Sequence, residues 1–98
     1  MKTRYDISKY ESLYDTFDGG HDRKHLEEVR TFAVRLAEIY APESIEIAYV
    51  AASLHDIALS VSRDDHERHG YEILLQDTEL KSTYSEEEYE NILEAVRE

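Results

Sequence analysis

Five histidines, at positions 21, 25, 55, 66 and 69, carry most of the chemistry this chain can offer. Cysteine is absent, so any metal must be held by imidazole and carboxylate. His25 precedes Val29 by four residues and Phe32 by seven, a spacing that turns it toward an apolar helix face from the first turn. His55 follows Ala48 and Ala51 at seven and four. A buried neutral imidazole is costly unless both ring nitrogens find partners, and a divalent ion can supply one while a carbonyl or carboxylate supplies the other. Asp56 adds a carboxylate directly after His55, in a stretch otherwise made of Ala, Val, Leu and Ile. Helix neighbours lie about 100° apart, so His55 and Asp56 can converge on one ion at a helix edge.

Taken singly, an inward histidine is more often a satisfied core residue than a ligand. His66 and His69, at i and i+3, share a helix side and suit either a site or a polar face, with a titration range apt for protonating a leaving group. His21 lies in a Gly-Gly turn and suits a capping or exposed role better than ligation. Lys24, Arg63 and Arg68 flank the candidate site in sequence and can hold a phosphate, although solvated surface cations are the commoner case.

The elements that must position these residues are helical. Three Gly and one Pro in 98 residues leave few sharp turns, and apolar residues recur at helical spacing almost throughout, which predicts an all-α bundle of about five helices. The first runs from about Ser8 to Asp18, with Tyr10, Leu13, Tyr14 and Phe17 on one stripe, and stops at Gly19-Gly20. The second, about Asp22 to Tyr40, is expected to bury Leu26, Val29, Phe32, Ala33, Leu36 and Ala37. Pro42 marks the next start, and the helix from about Glu43 to Ala58 is the least polar, hence the central one. A fourth, about Asp65 to Gln76, turns His66, His69, Gly70, Ile73 and Leu74 inward. The last opens with the capping box Ser85-Glu86-Glu87-Glu88 and carries Tyr89, Ile92, Leu93 and Val96 on its apolar stripe.

Composition narrows the function classes. One modest core fits 98 residues, so a single domain spanning 1–98 is expected. Eleven basic against 23 acidic residues give a net charge of −12, which disfavours a nucleic-acid scaffold. No apolar run approaches the roughly 20 residues of a membrane span, and the N-terminus lacks a signal-peptide core, so a cytoplasmic protein without membrane partners is expected. The six Glu and one Arg between Glu86 and Glu98 read as a solvated helix face.

The whole pattern, GHDRKHLEEVRTFAVRLA, then AASLHDIA, then HERHGYEIL, resembles the HD superfamily of metal-dependent phosphohydrolases. In that family a His opens one helix, a His-Asp pair ends a hydrophobic helix roughly thirty residues later, and a last Asp comes from a later helix. His25 resembles the first ligand, although Glu28 stands where the family often has Arg before Val. His55-Asp56, preceded by Ala51-Ala52-Ser53-Leu54, resembles the signature pair. The stretch from Asp65 to Tyr71 is similar to a segment that some members use for a second metal or for substrate phosphate. The likeness covers about Gly20 to Leu75.

The resemblance implies a divalent metal ion (Mn, Fe, Co, Ni, Zn or Mg) on His25, His55 and Asp56, with room for a second near His66 and His69. It also implies hydrolysis of a nucleotide or other small phosphorylated metabolite, with Asp56, His66 and His69 as catalytic groups. The family's last Asp has no counterpart, because Asp77 comes too early. A chain truncated at its C-terminal end is the favoured explanation; a ligand donated by a partner chain and an incomplete site are the others. An incomplete site would make this a non-catalytic module with a structural or regulatory metal, acting in protein association. The apolar stripe of the last helix leaves room for a homodimer.

Overall fold

Eighteen consecutive residues without Gly or Pro form the longest helix, α2 (Arg23–Tyr40). The computed structural model describes residues 3–12, 14, 23–55 and 66–97, with the backbone alone at 9, 66–69 and 97. In chain order the helices are α1 (Ser8–Glu11), α2, α3 (Ile45–Leu54), α4 (His66–Leu75), α5 (Thr78–Thr83) and α6 (Glu86–Arg97). Among the described residues there is no strand, and no helix is long and apolar enough to cross a membrane. The all-α expectation holds.

Local chemistry accounts for the boundaries. Pro42 at the first turn produces a short 3-10 segment, Pro42–Ser44, before α3 begins two residues later than expected. The box at α6 forms as read: Ser85 N–H donates to Glu88 Oε1 at 3.0 Å, and Glu88 N–H to Ser85 Oγ at 3.1 Å. Helix α5 was not anticipated. Asp77 caps it by accepting the Leu80 N–H at 3.0 Å, and the same carboxylate accepts the hydroxyls of Tyr5 and Tyr10 through Oδ2. Burial first, then the bond to Asp77, push the Tyr10 hydroxyl up to about 12.

Helix α3 lies between α2 and α6, and α6 in turn packs on α4. Its residues Ile47 and Val50 through Leu54 are buried, matching the central position its low polarity predicts. Around it the core gathers Leu26, Leu74, Leu80, Ile92, Leu93 and Val96 with Tyr5, Tyr14, Tyr84 and Tyr89. The stripe read on the last helix is buried within the chain's own core, so it does not offer the open seam for a homodimer that its pattern suggested.

The face of α2 departs from expectation. Leu26 and Ala37 are buried as predicted, but Phe32 is 66% and Leu36 42% exposed, and the third buried residue is Arg30. Arg30 donates from Nε to Ser53 Oγ, from one terminal nitrogen to Glu27 Oε1 and from the other to Glu11 Oε2, each at 2.8 Å. Its guanidinium also lies 4.7 Å from the centre of the Tyr49 ring. With each residue turning the helix about 100°, Phe32 two positions on falls on the far side from Arg30. A guanidinium satisfied on all sides therefore fixes the rotation that the apolar pattern misjudges.

Arg30→Ala is expected to destabilise the fold by about 2–4 kcal/mol in urea denaturation, from lost charge-assisted hydrogen bonds and packing volume. The low end is favoured because Glu11 and Glu27 keep access to water after the change. A change below about 0.5 kcal/mol, the level of an ordinary surface substitution, contradicts the assigned role.

A pH dependence follows from Glu46. Partial burial works to raise its pKa, but the Tyr84 hydroxyl at 2.6 Å, the Arg4 N–H at 2.9 Å and the Arg4 guanidinium outweigh it and hold the carboxyl below 4.5. A group depressed in the native state contributes stability that is present above its unfolded pKa and lost as pH falls through the folded one. Denaturation midpoints of the native chain should thus drop below pH 4.5, and Glu46→Gln should flatten that limb while lowering the plateau.

Candidate metal centre

Two helix ends meet at the candidate site. His25 occupies the first turn of α2, and His55 immediately follows the last residue of α3. The Arg30 to Ser53 hydrogen bond ties these helices together two residues before His55, and the Tyr14 hydroxyl donates to the Ser53 carbonyl at 2.9 Å. Carbonyls of a final helical turn need outside partners, and Tyr14 serves one of them. Both histidines are half-buried, and their ring centres stand 6.0 Å apart at an interplanar angle of 49°.

His55 Nδ1 lies 2.6 Å from the Ala52 carbonyl oxygen. A carbonyl only accepts, so this contact assigns the proton to Nδ1 and the lone pair to Nε2. That is the tautomer a metal-ligating histidine adopts when a backbone carbonyl orients it. A ligating nitrogen sits about 2.1 Å from a divalent ion, placing each ring centre roughly 3 Å from it. Two rings on a tetrahedral ion stand roughly 5 Å apart, so the 6.0 Å separation brings the pair to the neighbourhood of one ion, about 1 Å wider than ligation itself.

Among the described residues, no group of three His, Asp or Glu able to hold an ion is present. The expected third ligand, Asp56, lies outside the described residues, as does Arg63. His66, Arg68 and His69 open α4 and are described in backbone only. Lys24 is exposed on α2, in a shallow depression shared with Glu27, Glu28 and Arg35. His21 falls outside the described residues.

From His55 an open groove of about 740 Å³ runs along α2, α3 and α6. Its walls are largely aliphatic, with Val29, Ala33, Ala48 and Ala52 among them beside Tyr40, and among the described residues no charged side chain lines it. Lys24 does not border this groove.

The residues that set the geometry were not singled out in the sequence. Arg30, Ser53 and Tyr14 act through hydrogen bonds between elements 19 to 39 residues apart, and no local pattern announces such partners. A weak signal did exist: Arg30 sits at the azimuth of Ala37, between the apolar positions of α2, where a lone cation must find acceptors.

Residues 23–98 match the family model described as HD domain. No curated protein and no solved structure gives a match to the chain.

The tautomer is directly testable. Long-range ¹H–¹⁵N spectra of histidine-labelled protein should show neutral His55 protonated at Nδ1, with the Nε2 resonance moving on addition of Zn²⁺. Protonation at Nε2 in the neutral form removes the argument for ligation through that atom.

Proposed function

Since the chain belongs to the HD domain family, we propose that it is a metal-dependent phosphohydrolase acting on a nucleotide or other small phosphorylated metabolite. The observation that carries the reading is the approach of His25 and His55 to 6.0 Å with the proton of His55 committed to the Ala52 carbonyl. Two imidazoles brought together on helix ends from distant parts of the chain, one of them oriented by a backbone carbonyl, are the kind of arrangement a divalent ion accepts. Asp56 completes the donor set in this proposal, giving two nitrogens and one carboxylate, which suits Mn, Fe, Co, Ni, Zn or Mg.

When bound, the ion supplies Lewis acidity, polarising a phosphate oxygen and lowering the pKa of a water beside it. His25 and His55 hold it, and Asp56 ligates and orients the water. In the hydrolytic step the water gives up a proton to solvent, a bond forms between its oxygen and phosphorus, and the bond from phosphorus to the leaving oxygen breaks. His66 or His69 delivers the proton that the leaving oxygen takes up, and their segment is also the place for a second ion. Arg63 and Arg68 neutralise phosphate charge, and Lys24 contributes at longer range from its exposed position on α2. The net charge of −12 repels anionic substrates at a distance, so rapid electrostatic capture is not part of the mechanism. The proposed setting is the cytoplasm, as one domain.

The test is metal analysis of purified protein with a phosphatase screen over nucleotides, repeated on Asp56→Ala and His55→Ala. Wild type is expected to carry about one divalent ion per chain and to hydrolyse at least one substrate class, each variant losing at least the roughly 100-fold in activity that marks the upper end for residues lying behind metal ligands. Metal binding without turnover would favour instead a catalytically incomplete module acting in protein association. No metal in wild type, with stability unaltered by Asp56→Ala, defeats both.

A further inference from the structure

The outer face of α2 is apolar where it should be polar. Phe32, Leu36, Ile39 and Tyr40 are exposed by 66, 42, 70 and 80%, and they follow one another at i, i+4, i+7 and i+8 on one side of the helix. This is the spacing of a helix-packing seam. With half-buried Val29 and Ala33 beside it, the seam is continuous with the rim of the apolar groove, which Leu36 and Tyr40 also line. Scattered single exposures need no explanation, but a contiguous stripe of two aromatics and two aliphatics marks an interaction surface.

We propose that this stripe is a homodimer interface in which α2 packs on α2 of a second copy, antiparallel about a two-fold axis near Leu36. Such a crossing sets Phe32 against Ile39 and Tyr40 of the partner subunit, and by symmetry the reverse, so the patch is complementary to itself.

Area and charge both select a second copy. An aromatic side chain carries about 150–250 Å², so Phe32 and Tyr40 at these exposures leave roughly 300 Å² in water, and Ile39 and Leu36 bring the stripe to on the order of 450 Å². Two copies bury about twice that, and Val29 and Ala33 raise the total toward the roughly 1,000 Å² that a specific interface requires. Two chains of −12 can approach only where the local charge is not acidic. With Arg30 buried, the exposed charges of α2 balance, Arg23, Lys24 and Arg35 against Glu27, Glu28 and Glu38, whereas α6 carries five Glu and one Arg. The stripe thus lies on a helix whose exposed charges balance, where like copies meet without strong repulsion.

The arrangement leaves the metal centre open. Leu36 is eleven residues from His25, roughly 16 Å along the helix at 1.5 Å per residue, so the partner covers the far end of the groove. The inference does not depend on the phosphohydrolase reading.

Sedimentation equilibrium of the full chain across a concentration series should return twice the 11.5 kDa chain mass, and Phe32→Glu combined with Ile39→Glu should return the single mass with unchanged helical circular dichroism. Because the chain has no cysteine, Leu36→Cys gives an independent readout: mild oxidation should produce a disulfide-linked dimer, while Ser8→Cys does not. A wild type of single mass at every concentration, which hands the stripe to a different occupant, overturns the proposal. So does a dimer that survives the double substitution, or a Leu36→Cys chain that fails to cross-link. Should the double variant misfold, the cross-linking result decides alone.

Discussion

The fold is organised around one buried cation. Arg30 reaches from α2 into the space between α1 and α3 and is met by Ser53, Glu11, Glu27 and the face of Tyr49. A guanidinium sunk to 3% exposure without such partners would be prohibitive. With them it works as a three-way joint, because its planar donors fix direction as well as distance. The joint has a specific geometric outcome. Ser53 lies two residues before His55, and His25 lies five residues before Arg30, so one set of hydrogen bonds fixes the separation of the two imidazoles.

A second polar joint ties the chain's N-terminal segment to its C-terminal half. Asp77 caps α5 and accepts the hydroxyls of Tyr5 and Tyr10, while Glu46 on α3 accepts from Tyr84 and from Arg4, whose guanidinium also stacks on the Tyr84 ring at 4.7 Å. Tyrosine suits both places for the same reason. Its ring fills core volume, and its hydroxyl reaches a carboxylate at the core's edge without exposing the ring. This accounts for Tyr5, Tyr10 and Tyr84 among the eight tyrosines, whose hydroxyls are displaced upward in pKa chiefly by burial.

How much of this could be read beforehand follows from the range of each interaction. The capping box at Ser85, the proline start at Pro42 and the buried stripe of α6 are local, governed by residues within a turn or two, and all were legible. So was the central place of α3, which carries a single charge, Glu46 in its first turn, and is otherwise almost wholly apolar. The juxtaposition of His25 and His55 was legible only through the resemblance to the HD family, since nothing in a single sequence gives the distance between residues thirty positions apart. The rotation of α2 was misread because apolar periodicity assumes that the apolar side faces in. Phe32 and Leu36 satisfy that periodicity and still lie outside, overruled by a cation whose partners sit on other elements. Helix α5 went unseen because six residues give too short a period to register, although Asp77 followed by Thr78 and Glu79 is a sound N-terminal signal.

The misreading of α2 is informative about how this helix divides its tasks. Its inward side is narrow, made by Leu26, Arg30 and Ala37, and it packs against α3. A thin inner face costs hydrophobic burial, which the polar joint at Arg30 offsets in part. It also frees the rest of the helix circumference. The N-terminal turn can then present His25 to His55, while the C-terminal half can carry large apolar side chains without disturbing the core. Apolar residues on a helix whose core contacts are already complete are not needed for folding; in water they lower solubility, so their retention calls for something that covers them. The sequence pattern that looks like a core face is, on this helix, the description of a surface, and the buried charge is what turned it outward.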